Sequence, residues 1–388
     1  MTPATTWPAG RPRVLVTDAW LANAGDAALA LATEAMIRAA VPGAAVLHAA
    51  YHGTELGHHL PSLRCTLPLE ELLGTPWAPT APGWEASGPA LVAGADAVVS
   101  QGGGFLVEAY QPWGRIAALA TVARRGTPLA IVGQTIGRFE PADLRRDLED
   151  VMAAAALVAV RDAPSARHAR DLGAGDVVIG SDLAFGLFPD PPQEHARHGV
   201  GLVLTDHHPE DGLRSGRGEL ARHLAETVVD QAGDQPVTLW STVQGHPELA
   251  REDDSALARS IVAGLSPGRR SGVTLVSGYV PPDRAIALVT GFRSLVSMRM
   301  HPALFAASLD TPFALVLGGQ RTGVLAGTSL EGRLADPADR GAVDALVQRT
   351  LGGDGGDGQW EAVTPLRRRC AEVRGLLVRF LRELPPSS

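Results

Sequence analysis

Short runs of consecutive apolar residues alternate along the chain with longer stretches whose apolar positions recur at helical spacing. Val14–Thr17 (VLVT) precedes a helical pattern over 26–40, and Ala97–Ser100 (AVVS) precedes three glycines and a helical pattern over 114–126. Leu129–Val132 and Leu157–Val160 are followed in the same way by patterns over 141–155 and 163–173. Unbroken apolar runs of four or five residues, without in/out alternation, predict strands covered on both faces, and helices between them predict a parallel sheet.

Prolines and charges interrupt the pattern at 188–199 (FPDPPQEHARHG), which reads as an interdomain linker. The alternation then restarts. Strand-like Val200–Leu204, Val237–Trp240, Val273–Val276, Ser294–Ser297 and Phe313–Leu317 alternate with helical patterns over 218–233, 253–265, 283–292 and 301–310. A glycine- and aspartate-rich loop near 352–358 leads to a final amphipathic helix from about 363 to 384. The expected fold class is α/β, with two Rossmann-like domains facing across a cleft. Their bounds are read as 1–190 and 198–388, the C-terminal helix belonging to the second.

Composition narrows the chemistry. The 388 residues are 45% hydrophobic and 20% charged, ample for packed cores, and the net charge is −8. An acidic balance argues against nucleic acid, which is held through many cationic phosphate contacts. All 34 cationic side chains are arginine. Schiff-base lysines, pyridoxal-phosphate attachment and a Walker-A lysine are therefore excluded, and an anion must be held by Arg, His or backbone N–H. Two distant cysteines, Cys65 and Cys370, point to neither a disulfide framework nor a cysteine zinc site. No apolar run approaches a membrane span or a secretory leader, so a cytoplasmic protein without an integral membrane segment is expected.

Ligands of open parallel sheets sit beyond the carboxyl ends of the strands, which makes the residues after each apolar run the candidates. Asn23, Gly25 and Asp26 follow the first run and either cap a helix or bond a substrate hydroxyl. Gly102, Gly103 and Gly104 carry a backbone-entropy cost that implies close approach of a ligand or of another backbone. Gln134 suits a sugar or carboxylate. Arg161 reads either as an anion clamp or as an ion pair with Asp162, with Ser165 as a cap, and Asp182 as a cap or a base. Arg299 and His301 flank a strand end and a helix start, where guanidinium, imidazole and backbone N–H groups can converge on one anion. Arg321 adds a cation after the last core strand. His207, within TDHHPED, suits acceptor binding better than a metal, since the spacing of His207, His208, Glu210 and Asp211 fits no zinc pattern. His58, His59, His246, Asp253 and Asp254 read as solvated loop or helix-end residues.

In order along the chain, Asn23-x-Gly25-Asp26, Gly102-Gly103-Gly104, Gly133-Gln134-x-x-Gly137, Arg161-Asp162-x-x-Ser165, Ser181-Asp182 and Arg299-x-His301 form a set. That set resembles the polysaccharide pyruvyl transferase family, from about Arg13 to about Leu351. The family's Arg-Leu-His element falls on Arg299-Met300-His301, a volume-conserving change at the middle position. Where the family often carries a lysine, this chain has Arg321, and the two differ in geometry. The resemblance implies a GT-B-like fold, an acceptor side in the first domain and a donor side in the second. It also implies phosphoenolpyruvate as co-substrate, with no further cofactor or metal, and ketal formation on a sugar, glycan or glycosylated small-molecule acceptor.

Phosphoenolpyruvate is an anion with a carboxylate and a phosphate, which Arg299, His301, Arg321 and Arg161 would hold. Asn23, Asp26, Gly102, Gly103, Gly104, Gln134 and His207 would serve the acceptor. His301 is the expected acid or phosphate ligand, Asp26 or Asp182 the group on the acceptor hydroxyl, and Arg299 the cation at the reacting centre. A nucleotide-sugar glycosyltransferase of the same fold is the competing expectation, and an inert binding protein is a third.

Overall fold

The computed structural model describes residues 6–7, 11–52, 56–75, 87–189, 192, 195–207, 216–243, 253–276, 278–353 and 358–384, the side chains of Gln320 and Arg321 apart. The chain forms two compact units. The first comprises Met1–Leu21, Asp26–Gly186 and Leu366–Ser388, and the second Ala22–Gly25 and Leu187–Pro365.

The first unit is built on a parallel sheet. Its strands are β1 (Arg13–Trp20), β2 (Ala45–Tyr51), β3 (Cys65–Thr66), β4 (Ala97–Ser100), β5 (Gly103–Leu106), β6 (Leu129–Ile136), β7 (Leu157–Val160) and β8 (Val177–Ile179). They run in the order β3-β2-β1-β4-β6-β7-β8, with β5 added to β6. Strand order reverses between β1 and β4, the place where such sheets open a crevice beyond their carboxyl ends. Helices α1 (Ala24–Ala40), α2 (Trp113–Arg124), α3 (Ala142–Ala154) and α4 (Ala163–Asp171) follow β1, β5, β6 and β7. Leu15, Val98, Ile131 and Val158 lie at or near zero exposure in one core with Leu119 and Leu148.

The second unit repeats the plan with β9 (Val200–Val203), β10 (Val237–Trp240), β11 (Val273–Val276), β12 (Ser294–Ser297), β13 (Phe313–Val316) and β14 (Leu334–Ala335). The order is β11-β10-β9-β12-β13-β14, parallel throughout, with the reversal between β9 and β12. Helices α5 (Arg217–Ala232), α6 (Asp254–Gly264), α7 (Pro282–Gly291), α8 (Met300–Ser308) and α9 (Arg340–Leu351) complete it. The expected strands from Val200 onward are all present.

The final helix, α10 (Thr364–Arg382), departs from expectation. The sequence placed it with the second domain, yet from Leu366 onward the chain belongs to the first unit. Its apolar stripe, Leu366, Cys370, Val373, Leu377 and Leu381, is buried. Ser181 Oγ donates to the Leu366 carbonyl at 2.7 Å, and Arg382 Nε donates to the Ala40 carbonyl at 3.3 Å. Amphipathic spacing shows that a helix needs a partner without naming which core supplies it.

Both cysteines are buried free thiols. Burial, aided by the Glu34 charge at Cys65 and the Asp182 charge at Cys370, pushes each thiol up to about 12. Neither is a thiolate nucleophile near neutral pH.

A buried carboxylate, Glu34, makes the stability of the first unit depend on acid pH. His48 Nε2 lies 3.0 Å from Glu34 Oε2, and Arg38 Nε donates to Glu34 Oε1 at 2.6 Å. Burial alone would raise the Glu34 carboxyl, but the hydrogen bond and charge of His48 and the charge of Arg38 outweigh it and hold it below 4.5. A carboxyl depressed in the fold contributes stability above its unfolded pKa and loses it as pH falls through the folded value. Glu34→Gln should therefore be less stable near pH 7 and show a shallower loss of stability below about pH 4.5, read from unfolding midpoints across a pH series.

Candidate functional site

Each sheet carries a cluster of polar side chains at the carboxyl ends of the strands flanking its reversal. In the second unit these ends are Thr205 to His207 after β9, and Ser297 to His301 after β12. The two strands close in the same way. The Thr205 hydroxyl accepts from His207 N and donates to His207 O, each at 3.1 Å, while the Ser297 hydroxyl accepts from Arg299 N at 3.1 Å and donates to Arg299 O at 2.6 Å. Such side-chain turns end a strand by satisfying the backbone that would have extended it.

Arg299 caps α8 in extended conformation, and its side chain is fixed. Nε and Nη2 grip both oxygens of Asp254, at 3.0 and 2.7 Å, the fork-to-fork geometry that Lys cannot supply. Asp254 is buried at the start of α6 and is not the solvated helix-end residue expected from sequence. This pairing neutralises part of the cation and aims it, leaving Nη1 as the edge that Asp254 does not take.

His301 sits in the first turn of α8 and is 8% exposed. Its ring lies against Gly25, where an added Cβ would fall 2.1 Å from Nδ1. The glycine is thus required by the imidazole rather than by a turn. Gly25 N donates to Asn23 Oδ1 at 2.9 Å, Ala24 N donates to the Thr242 carbonyl at 2.9 Å, and Asn23 bridges Val243, so Ala22–Gly25 is anchored in the second unit. Asn23 therefore holds the backbone of Gly25, the residue against which the His301 ring lies. The structure brings Asn23, Gly25 and His301 together. His207 is half-buried at its own strand end. The side chain of Arg321 and residues His208, Glu210, Asp211 and His246 lie outside the described residues.

In the first unit several expectations are revised. The glycine run is buried, and Gly103–Leu106 is itself a strand paired with β6. A Cβ on Gly102 would meet the Gly133 carbonyl at 3.0 Å. Another backbone explains Gly102, while at Gly103, whose φ is 149°, a Cβ would meet the Phe105 ring. Arg161 does not pair with Asp162. Its Nη1 donates to Asp182 Oδ2 at 3.2 Å, with side chains 1% and 0% exposed, while Asp162 caps α4 by accepting from Ser165 N at 2.8 Å. Arg161 and Asp182 therefore meet each other as a buried ion pair, which leaves Asp182 committed to a cation and not poised as a base. Nε and Nη2 of Arg161 have no partner among the described residues. Asp26 is buried in the first turn of α1 and directly follows Gly25 in the chain.

Sequence reasoning missed a second group. Asp18, at the end of β1 beside a register shift, has φ 78°, a conformation uncommon outside glycine. Its Oδ2 accepts from Ser100 Oγ at 2.6 Å, Thr17 Oγ1 at 2.9 Å and Gln134 Nε2 at 3.5 Å, and Arg115 Nε lies 2.8 Å from Oδ1. The Arg115 guanidinium is centred 4.7 Å from the Phe105 ring and 5.2 Å from that of Tyr51, and Nη1 donates to the Phe105 carbonyl at 3.2 Å. Burial pushes the nearby Glu70 carboxyl up, against the opposing pull of Arg115. The signal available was an aspartate interrupting the apolar run VLVTDAW, since a buried charge requires a partner.

No group of three or more His, Cys, Asp or Glu side chains suited to a metal occurs among the described residues. Nor, among them, is any helix long and apolar enough to cross a membrane.

Comparison with known proteins follows the same lines. The sequence profile of the polysaccharide pyruvyl transferases matches residues 23–318. Among solved structures, a putative UDP-N-acetylglucosamine 2-epimerase from Listeria monocytogenes is similar at a TM-score of 0.59 and 11% identity, over 97% of this chain and 98% of that one. An α,α-trehalose 6-phosphate synthase from Burkholderia multivorans gives 0.54 at 12% identity, over 96% and 98%. These likenesses bear out the α/β fold class of two Rossmann-like domains of the GT-B type. A stretch of 123 residues is 33% identical to malonyl CoA-acyl carrier protein transacylase of Mycolicibacterium smegmatis, 32% of this chain and 39% of that protein. The chain thus spans about two fifths of the curated relatives it matches.

Proposed function

The chain belongs to the polysaccharide pyruvyl transferase family, and on that premise we propose that it moves the pyruvyl group of phosphoenolpyruvate onto a sugar or glycan as a ketal, releasing phosphate. The observation that carries this reading is the strand end at Arg299 and His301. One guanidinium is aimed by a buried carboxylate, and one imidazole is held against a glycine in the first turn of a helix.

Phosphoenolpyruvate offers a carboxylate and a phosphate. The Nη1 edge of Arg299 that Asp254 does not take and the first N–H groups of α8 are donors suited to one of them. The reaction adds a proton to the methylene carbon, joins a sugar oxygen to the central carbon, expels phosphate and closes the ketal with a second sugar oxygen. Of the two hydroxyl protons, one balances the new methyl group and the other leaves with phosphate. His301 is assigned as the acid at the methylene carbon or as the ligand of the departing phosphate. With Asp182 committed to Arg161, Asp26 is the carboxylate assigned to the acceptor hydroxyl. A nucleotide-sugar glycosyltransferase shares the fold, and one neighbour of that fold, from Neisseria meningitidis, is a UDP-GlcNAc 2-epimerase bound to UDP-GlcNAc.

Phosphate release from phosphoenolpyruvate with a panel of sugars tests the reading. Acceptor-dependent release, lost on His301→Ala with the fold intact, is the expected result. Stabilisation by nucleotide sugars with no effect of phosphoenolpyruvate would overturn it.

A further inference from the structure

We propose that the outer face of α10, with Ile179 at its side, is a docking surface for anionic lipid bilayers, on which the first unit rests without inserting a helix. The inference is independent of the pyruvyl-transfer reading and stands on charge, exposure and packing within the first unit.

The apolar stripe of α10, from Leu366 to Leu381, is already packed in the core of that unit. What the helix offers outward is its opposite side, and that side is cationic. Thr364–Arg382 carries Arg367, Arg368, Arg369, Arg374, Arg379 and Arg382 against Glu372 alone, in a chain whose net charge is −8. Arg368, Arg374, Arg379 and Arg382 are exposed. At helical spacing, Arg368, Arg379 and Arg382 fall within about 60° of one another, facing away from the stripe, along a helix about 28 Å long.

Elsewhere on the surface, exposed arginines are neutralised by carboxylates. Arg124 lies 3.1 Å from both Asp147 and Asp150, Arg145 3.0 Å from Glu149, and Arg269 2.6 Å from Asp230. On α10 the same opportunity exists, since Arg368 stands four residues before Glu372 and Arg379 four before Glu383. Among the described residues neither pair closes, and Arg374 has no ion pair either. Arg before Glu is the weaker order for such a pair on a helix. Three exposed guanidinium groups thus keep their field in an otherwise acidic protein.

The apolar part of the surface lies beside this helix. Ile179 ends β8, the edge strand of the sheet, and at 36% exposure it is the large hydrophobic side chain left open among the described residues. Gly180 follows it, and a Cβ there would fall 2.4 Å from Val373 Cγ2, so α10 packs directly against this end of β8. Leu376 and Phe380, one turn apart on a flank of α10, are half-buried.

Arginines beside partly exposed apolar side chains suit the headgroup region of a bilayer, which supplies phosphates for the guanidinium groups and an apolar layer just beneath. A nucleic acid supplies the phosphates but gives nothing to Ile179. The acidic remainder of the chain turns the basic face toward a negative surface and is itself screened beyond about 8 Å at physiological salt. With the apolar stripe buried, binding is electrostatic and reversible.

The test is co-sedimentation of the full chain with vesicles of phosphatidylcholine and phosphatidylglycerol mixed about equally, and with phosphatidylcholine alone. Binding to the mixed vesicles only, lost when the Debye length falls from about 10 Å to about 3 Å in 1 M salt, is the expected result. Each arginine near the surface is worth about fivefold in affinity, so Arg368→Gln, Arg374→Gln and Arg379→Gln together should weaken binding about 100-fold, with the unfolding midpoint within a few degrees of native. Ile179→Ser should weaken it a few fold. The control triple Arg124→Gln, Arg145→Gln and Arg146→Gln changes the net charge equally and should bind as the native chain does. Equal loss in the control, or no preference for phosphatidylglycerol, would overturn the proposal. So would retention of an RNA or DNA duplex by the native chain and not by the α10 triple, with no vesicle binding by either.

Discussion

Gly25→Ala is expected to reduce pyruvyl transfer by about 100-fold, the scale set by displacing a reacting group by roughly 1 Å. The added methyl would fall 2.1 Å from His301 Nδ1, 2.4 Å from Cγ and 2.7 Å from Cβ. These distances fall on the near end of the side chain, so the ring cannot evade the methyl by a small swing at its tip. The imidazole must leave its place in the first turn of α8. Overpacking of this kind costs about 1–3 kcal/mol in stability as well. A double-substitution cycle separates the two effects. Gly25→Ala combined with His301→Ala should recover the stability and none of the activity, because the overlap is relieved but the imidazole is gone. Steady-state transfer rates and unfolding free energies of the four proteins check this. Full activity in Gly25→Ala would show that the position of His301 is immaterial.

Asp182→Ala should destabilise the first unit by about 3–5 kcal/mol, since removing one member of a buried ion pair strands the other. Arg161 and Asp182 are 1% and 0% exposed in their side chains, and Arg161 Nη1 depends on Asp182 Oδ2 at 3.2 Å. Asp182 Oδ1 also accepts from Ala184 N at 3.0 Å, so the turn that leads toward Gly186 loses a bond with it. Replacing the pair together, Arg161→Met with Asp182→Leu, should return most of the loss, because no uncompensated charge is left buried. Urea unfolding at constant m-value measures both. An Asp182→Asn protein of native stability that fails only in catalysis would contradict the structural assignment and restore this aspartate as a base.

The fold was legible because parallel strands covered on both faces appear as plain apolar runs, and Val14–Thr17, Leu129–Val132 and Ser294–Ser297 each became strands. The strand-end rule then led to Arg299 and His301. What stayed hidden were partners set by tertiary structure. Asp254 lies 45 positions before Arg299, and nothing local marks it as the carboxylate that aims the guanidinium. Gly25 looked like a helix-entry glycine, whereas its missing Cβ makes room for a ring 276 residues later in the chain. The glycine run signalled close approach without revealing a strand, because glycine has low strand propensity, yet Gly103–Leu106 pairs with β6. Asp18 was passed over inside an apolar run, and only its four partners show why a charge is tolerated there.

In the proposed reaction, pyruvyl from phosphoenolpyruvate ends as a ketal on a sugar, with Arg299 and His301 at the reacting centre. Running the reaction in heavy water with the native chain, and following the product by NMR, tests it most directly. Protonation at the methylene carbon predicts a ketal methyl group carrying one deuterium, phosphate released in equal amount to product, and neither in His301→Ala. A modified sugar formed without consumption of phosphoenolpyruvate, or a product methyl group with no solvent deuterium, would contradict it.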